Sequence, residues 1–346
     1  MMATVDALTL RPRPVASSVE ELLADATRIG PMVPAGARST AGFERVVVDG
    51  EPCIVKYLHP DDDFILRGSG DIGGRTLRVW ASGLMDLAPD LIDHAHLGAA
   101  PWGRNGWGTA LLMRDLGAEL VPDGDAPLPE AQHLSFVEHL TGLAARSWGW
   151  RDDEGLLPHR LRWAMFGPDQ LAEEARLGFP EPVPRFALDG WERFSERAPA
   201  DVVAVVHELL RDTTPLSVAV QATPQCFLHG DWKLGNLGSA ADGRTVLIDW
   251  AYPGEGPILH ELGWYLALNR ARLPLTATKE STIAAFRSAL EGHGIATEGW
   301  WERQLGLCLL GALVQFGWEK ALGDDAESRA ELGWWTDVAR DGMRFL

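Results

Sequence analysis

Short apolar runs separated by turn residues occupy the first third of the chain, a pattern that is typical of β-strands. The predicted strands cover residues 43–48, 52–58 and 108–113. An Asp49-Gly50 pair lies between the first two runs and favours a tight hairpin turn. The predicted helices in this part cover residues 17–29 and 71–87. We therefore expect a small, β-rich unit that ends near Gly117.

Later in the chain the apolar residues recur at the spacing of amphipathic helices. The predicted helices cover residues 129–148, 259–271, 276–293, 300–322 and 327–345. Residues 117–129 are rich in Gly, Pro and Asp and are predicted to form a loop. Residues 150–200 are interrupted by prolines and are expected to be the least regular region. The predicted fold class is therefore α+β, with one β-rich part and one mainly helical part.

Three polar side chains stand in a fixed order in the second half of the chain. Asp231 follows an apolar strand, Asn236 comes five residues later, and Asp249 ends a second apolar run. The Asp242-Gly243 pair predicts a hairpin that would bring Asp249 back beside Asn236. A carboxylate can orient or deprotonate a hydroxyl, while an amide oxygen and a second carboxylate suit Mg²⁺. These groups are the apparatus of phosphoryl transfer from a nucleotide.

The sequence His-Gly-Asp, four residues, Asn, and then an apolar strand ending in Ile-Asp-Trp resembles the motif of the aminoglycoside phosphotransferase and choline kinase group of small-molecule kinases. Residues 229–236 and 248–250 carry the resemblance. It implies a protein-kinase-like bilobal fold, with a nucleotide-binding N-lobe over 1–117 and a C-lobe over 118–346 that holds the catalytic loop and the acceptor-binding helices. Gly230 stands where protein kinases carry Arg, which favours a small-molecule acceptor over a protein.

The resemblance implies transfer of the γ-phosphoryl group of ATP, or of GTP, to a hydroxyl of a small molecule with the help of Mg²⁺. Asp231 would be the catalytic base, and Asn236 and Asp249 would hold the metal. Lys233 would neutralise charge on the transferred group, the alternative being a loop lysine that faces solvent. An aminoglycoside, another sugar, a choline-like amine and a hydroxy amino acid are all compatible acceptors.

Nucleotide binding is expected in the N-lobe by the same resemblance. Lys56, inside an apolar run, would bind the α- and β-phosphates; an edge-strand lysine that faces water is the alternative. Ser39 and Thr40 would let backbone N–H groups approach the phosphates, although a plain hairpin fits these residue types equally well. The backbone of Met113 and Asp115 would bind adenine between the lobes.

The sequence departs from the family pattern in one respect. The predicted helix over 71–87 contains no Glu to pair with Lys56, so either Asp71 substitutes or the pair is missing. A catalytically silent nucleotide-binding regulatory protein is therefore the alternative function, which the intact motif disfavours. His229 and Glu261 are expected to brace the catalytic loop rather than to take part in chemistry.

The charge and composition of the chain limit the kinds of partner that it is expected to bind. The 346 residues carry a net charge of −18, which disfavours binding to nucleic acid or to an anionic membrane. This charge is compatible with a cationic acceptor, although an acidic soluble surface is the commoner reason for it. Cys53, Cys226 and Cys308 have neither metal-ligand nor disulfide spacing, and no signal-like segment is seen, so a reducing cytoplasm is expected. Most of the fifteen tryptophans are expected in the core, while a few could hold an ammonium group.

Overall fold

The computed structural model describes residues 12–33, 41–179, 182–269 and 272–346. The strands are β1 (Ala26–Met32), β2 (Gly42–Val48), β3 (Glu51–Leu58), β4 (Ile92–Asp93), β5 (His96–Trp102), β6 (Gly108–Arg114), β7 (Cys226–Leu228), β8 (Leu237–Ser239), β9 (Thr245–Leu247) and β10 (Gly254–Gly256). The helices are α1 (Val19–Leu22), α2 (Phe64–Gly68), α3 (Arg75–Ala81), α4 (Glu130–Arg146), α5 (His159–Ala164), α6 (Pro168–Leu177), α7 (Val183–Arg197), α8 (Ala200–Arg211), α9 (Thr214–Gln221), α10 (Leu259–Leu268), α11 (Lys279–Gly292), α12 (Trp301–Lys320) and α13 (Ala326–Met343). This distribution confirms the predicted α+β class.

A five-stranded antiparallel sheet dominates the N-terminal part, in the order β1-β2-β3-β6-β5. Apolar side chains of the sheet pack against α1 in one cluster and against α3 in another. Because β3 lies between β2 and β6, Lys56 is on an interior strand, opposite Leu111. The alternative of an edge-strand lysine is therefore wrong.

Two smaller sheets support the middle of the chain. β7 pairs with β10, and β8 pairs with β9 in the hairpin that the Asp242-Gly243 pair predicted. β4 adds to β9 in parallel, so a strand from before residue 117 joins a sheet from after it. The division of the chain at Gly117 stays a prediction.

The predicted helix over 17–29 is wrong beyond its first turn. Ser18 caps the short α1, accepting the backbone N–H of Glu21 at 3.2 Å, but the chain then enters β1. β1 pairs with β2, and Arg28 forms an ion pair across the strands with Glu44 at 2.6 Å. Pairing with a distant strand therefore overrides the local helix pattern.

The predicted helix over 71–87 is divided in two, because Gly83 takes a φ of 71° after α3 and a 3₁₀ turn follows. Residues 150–200 are more regular than predicted, since they contain α5, α6 and α7. Pro168 stands in the first turn of α6 and Pro184 in that of α7, where a missing backbone N–H breaks no helical hydrogen bond. These prolines begin helices rather than interrupt them.

The predicted helices of the C-terminal part are confirmed by α4, α10, α11, α12 and α13, with ends that differ by a few residues. α12 is buried on all sides and contacts α7, α10 and α13. The apolar residues of β7 and α10 belong to the same core, so the loop that follows β7 has rigid support. Within the described part of the chain, no helix has the length and apolarity that a membrane crossing requires.

Candidate active site

The loop after β7 contains a glycine that no larger residue can replace without a steric clash. Gly230 has a φ of 86°, and a Cβ added there would overlap the carbonyl oxygen of Tyr252. The preceding His229 is buried: Nδ1 accepts the backbone N–H of Asp231 at 3.2 Å, and Nε2 lies 3.0 Å from the carbonyl oxygen of Ile248. Burial lowers the pKa of His229 to about 3, so the neutral ring braces the loop, in agreement with its predicted structural role.

Asp231 is held from three sides. Its Oδ1 accepts the indole N–H of Trp264 at 2.8 Å, and its Oδ2 accepts Nζ of Lys233 at 2.7 Å and Nδ2 of Asn236 at 2.7 Å. The residue is only 2 % exposed, and this burial raises the pKa of Asp231 against the opposing charge of Lys233. The donors fix the carboxylate in one orientation.

The β8–β9 hairpin places Asp249 beside Asn236. Leu237 pairs with Leu247, and the backbone N–H of Ile248 donates to the carbonyl of Asn236 at 3.0 Å. Asp249 follows directly with a φ of 66°, a conformation that is uncommon for residues with a side chain. The three side chains that the sequence spacing selects therefore share one site.

Lys56 extends from β3 into this site. Its Nζ donates to Oδ1 of Asp249 at 2.8 Å. Burial by itself would raise the pKa of Asp249, but the charges of Lys56 and Lys233 outweigh it and hold the pKa below its ordinary value. Asp71, the predicted substitute partner, instead accepts the backbone N–H of Arg75 at 2.8 Å at the start of α3. Lys56 is thus paired with a candidate metal ligand and not with the helix.

The oxygens of Asn236 and Asp249 suit a hard divalent cation. Asn236 uses Nδ2 for its bond to Asp231, so its amide oxygen is the atom that would face a metal. No cluster of three or more His, Cys, Asp or Glu side chains suited to a metal occurs among the residues that the structure describes. Two protein oxygens supplemented by phosphate oxygens match the coordination that Mg²⁺ prefers beside nucleotides.

For the other residues that are predicted to bind nucleotide, the structure gives little evidence for or against nucleotide binding. Ser39 and Thr40 lie outside the described residues. Met113 is buried in β6. Asp115 donates its backbone N–H to the carbonyl of Pro52 at 3.1 Å, and its carboxylate accepts the N–H of Gly117 at 3.1 Å. The contacts of Met113 and Asp115 with adenine stay predictions.

One face of α10 supports the catalytic loop. Glu261 accepts the backbone N–H of Gly230 at 2.6 Å, which is the bracing role predicted for it. Asn269, just after α10, accepts the N–H of Leu234 at 3.0 Å, and Trp264 contacts Asp231 as described above. Asn269 and the contact of Trp264 with Asp231 are not predicted from the sequence. Trp264 lies three residues after Glu261 and Asn269 eight residues after it, so all three are near one face of the helix. This spacing is the signal in the sequence from which their shared role could be predicted.

Known proteins share this architecture. Residues 88–296, more than half of the chain, match the model of a family described as the phosphotransferase enzyme family (APH). Among solved structures, the chain is similar to a microcompartment-associated aminopropanol kinase, with 13% identity, a TM-score of 0.50 and coverage of 93% of this chain and 95% of that one. It is also similar to choline kinase LicA from Streptococcus pneumoniae, with 10% identity, a TM-score of 0.50 and coverage of 93% and 96%.

A third similar structure is amicoumacin kinase hAmiN in complex with AMP-PNP, Ca²⁺ and Ami, with 13% identity, a TM-score of 0.50 and coverage of 90% of this chain and 88% of that one. At such low identities the likeness concerns the fold alone, and it confirms the predicted kinase-like architecture. No curated protein matches the chain.

Proposed function

The chain belongs to the phosphotransferase enzyme family, and from this membership and the geometry of the site we propose that it transfers the γ-phosphoryl group of ATP to a hydroxyl of a small molecule. The observation that carries the proposal is the buried Asp231 carboxylate, which Trp264, Lys233 and Asn236 orient beside the Lys56–Asp249 pair. A carboxylate held in this way suits the alignment of a hydroxyl with a phosphoryl group.

In the proposed reaction Asp231 accepts a hydrogen bond from the acceptor hydroxyl and takes its proton as the new O–P bond forms. The bond between the γ-phosphorus and the oxygen that bridges it to the β-phosphate breaks at the same time, and ADP leaves. The hydroxyl would approach Oδ1, because Oδ2 already accepts bonds from Lys233 and Asn236. The ammonium group of Lys233 lies within ion-pair distance of Asp231 and would stabilise negative charge on the transferred group. These contributions come from position and charge and need no covalent enzyme intermediate.

The phosphates of ATP, or of GTP, would contact Lys56. The amide oxygen of Asn236 and the carboxylate of Asp249 would hold Mg²⁺, which when bound supplies positive charge to the phosphate oxygens. Lys56 contacts Asp249 in the described structure, so a phosphate entering beside this pair would meet a lysine that is already oriented. The net charge of −18 favours a cationic acceptor, such as an aminoglycoside or an amino alcohol, over an anionic one.

Acceptor-dependent release of ADP tests the proposal. We would incubate the protein with MgATP and a panel of aminoglycosides, hexoses, amino sugars, choline analogues and hydroxy amino acids. Asp231→Asn should abolish acceptor-dependent ADP because it removes the base. Asp242→Asn is the matched control, since Asp242 lies in the exposed turn of the β8–β9 hairpin, where its carboxylate contacts Arg244 and not the site. Tight binding of MgATP without turnover on any acceptor would instead favour a silent nucleotide-binding protein.

A further inference from the structure

Three consecutive carbonyl groups just after Asp249 each accept a buried side-chain donor from another part of the chain. Thr76 Oγ1 donates to the carbonyl of Trp250 at 2.7 Å, Arg75 to that of Ala251 at 2.9 Å, and Arg162 to that of Tyr252 at 3.0 Å. Thr76, Arg75 and Arg162 are each at most 2 % exposed. A short irregular segment is thus fixed residue by residue.

Two of these donors belong to α3, the helix that lacks a Glu for Lys56. We propose that α3 positions Asp249 for metal binding through Thr76 and Arg75, and thereby orients Lys56 without contacting it. This inference rests on the proposed function, because it assumes that Asp249 holds a metal beside nucleotide phosphates. Thr76 and Arg75 act through Asp249, so they are positioning residues.

The backbone of Asp249 explains why such support is needed. Its φ of 66° lies in the left-handed region, which is uncommon for residues with a Cβ although Asp enters it more readily than most. The carbonyl of Asp249 accepts the N–H of Ala251 at 2.9 Å, so the tight turn includes the residues that α3 binds. Loss of the bonds from α3 would therefore loosen the turn that aims the Asp249 carboxylate.

The start of α3 is itself fixed. Asp71 accepts the backbone N–H of Arg75 at 2.8 Å, and the Arg75 guanidinium also donates to the carbonyl of Ser69 at 3.0 Å. The acidic residue closest to the expected position of the missing Glu thus secures the helix that holds the metal-binding turn. The connection runs from α3 to the segment after Asp249, then to the Asp249 carboxylate, and then to Lys56 at 2.8 Å.

The test measures how strongly Mg²⁺ tightens the binding of ATP, which needs no knowledge of the acceptor. We would determine the Kd for ATP by calorimetry with and without saturating Mg²⁺ in the wild type, Thr76→Val and Thr76→Ser. Thr76→Val keeps the shape but removes the hydroxyl that holds the residue after Asp249, so the Mg²⁺-dependent tightening should fall by about tenfold, the lower end of the effect of groups that orient metal ligands. Thr76→Ser retains the hydroxyl and should stay near the wild type.

Thr141→Val is the matched control. Thr141 is fully buried on α4 and donates to the carbonyl of Glu138 at 2.7 Å, so its loss also removes a buried hydroxyl from a helix. It should lower the unfolding temperature without changing the effect of Mg²⁺. A Thr76→Val protein that loses stability but keeps the wild-type response to Mg²⁺ would overturn the inference alone. A wild type that binds no MgATP would overturn the proposed function and the inference with it.

Discussion

The indole of Trp264 donates to Oδ1 of Asp231, the oxygen that we propose the acceptor hydroxyl approaches. Trp264→Phe keeps an aromatic ring in the core but loses this bond and leaves a small cavity. We expect kcat to fall about tenfold from loss of the bond, in line with the energy of a hydrogen bond to a charged group. The KM for ATP should change little, because Trp264 contacts the oxygen of Asp231 that we assign to the acceptor hydroxyl and not the residues that we assign to the nucleotide. Steady-state kinetics with the identified acceptor would measure both values.

Trp335→Phe is the control for this substitution. Trp335 is buried on α13 and donates its indole N–H to Oε1 of Glu331 at 2.7 Å, so the same type of bond is lost in another place. Equal effects of the two substitutions on kcat would show that the bond to Asp231 has no particular role.

Substitution of Gly230 and of Gly243 by Ala gives two proteins whose free energies of unfolding can be compared directly. Both glycines have positive φ, 86° and 91°, but only Gly230 has a neighbour in the way of a Cβ, the carbonyl of Tyr252. Gly230→Ala should lower the free energy of unfolding by about 3 kcal/mol, since steric overlap adds to backbone strain. Gly243→Ala should cost only about 1 kcal/mol, from the backbone alone. Urea unfolding would compare them, and similar losses would contradict the close approach to Tyr252.

Among single residues, the sequence predicts those site residues that lie within one loop and the hairpin that follows it. Asp231, Asn236 and Asp249 could be selected because local turn signals bring them together. The partner of Lys56 could not be predicted, since Lys56 and Asp249 are 193 residues apart, one in a strand of the large sheet and the other just after a strand of a different sheet, so that only the folded chain brings them together. Ser39 and Thr40 lie outside the described residues, so their role stays a prediction.

Helix α10 connects the catalytic loop to the core through Glu261. Burial raises the pKa of Glu261 from 4.5 to about 7, against the hydrogen bond from Gly230 and the charge of Arg162. A carboxyl whose pKa is raised by folding stabilises the fold at low pH, and that contribution is lost as the pH rises through the folded pKa.

We therefore expect the wild type to lose stability relative to Glu261→Gln between the unfolded and folded pKa values of 4.5 and about 7. The change should be about 3.5 kcal/mol at most, since each pKa unit corresponds to about 1.4 kcal/mol. Urea unfolding of both proteins at about pH 5 and at about pH 8 would measure it. A difference in stability that is the same at both pH values would contradict the raised pKa.

Elements with strong periodicity were predictable and those decided by tertiary pairing were not. α12 and α13 were found because their apolar residues recur over many turns. β1 was mistaken for helix because its pairing with β2 has no local signal, and the helices between 150 and 200 were missed because Pro168 and Pro184 were interpreted as interruptions.

For the whole molecule, the site lies where the N-terminal sheet meets the helical part, so a ligand bound there should stabilise the entire fold. MgATP at about a hundred times its Kd should add about 2.7 kcal/mol to the free energy of unfolding. Lys56→Met should lose most of this effect in a thermal-shift experiment. Lys279→Met should retain it, because Lys279 is also in an ion pair, with Glu331 at 2.5 Å, but on α11. An unchanged response of Lys56→Met would contradict the role of Lys56 in phosphate binding.

The most direct measurement follows the γ-phosphate into the product. ATP labelled with heavy oxygen on its γ-phosphate would be incubated with the protein and the active acceptor, and the products would be examined by phosphorus NMR. We expect a labelled phosphate monoester of the acceptor, formed together with ADP and absent with Asp231→Asn. Label found only in inorganic phosphate, or only in unreacted ATP after incubation with every acceptor, would contradict transfer to a small-molecule hydroxyl.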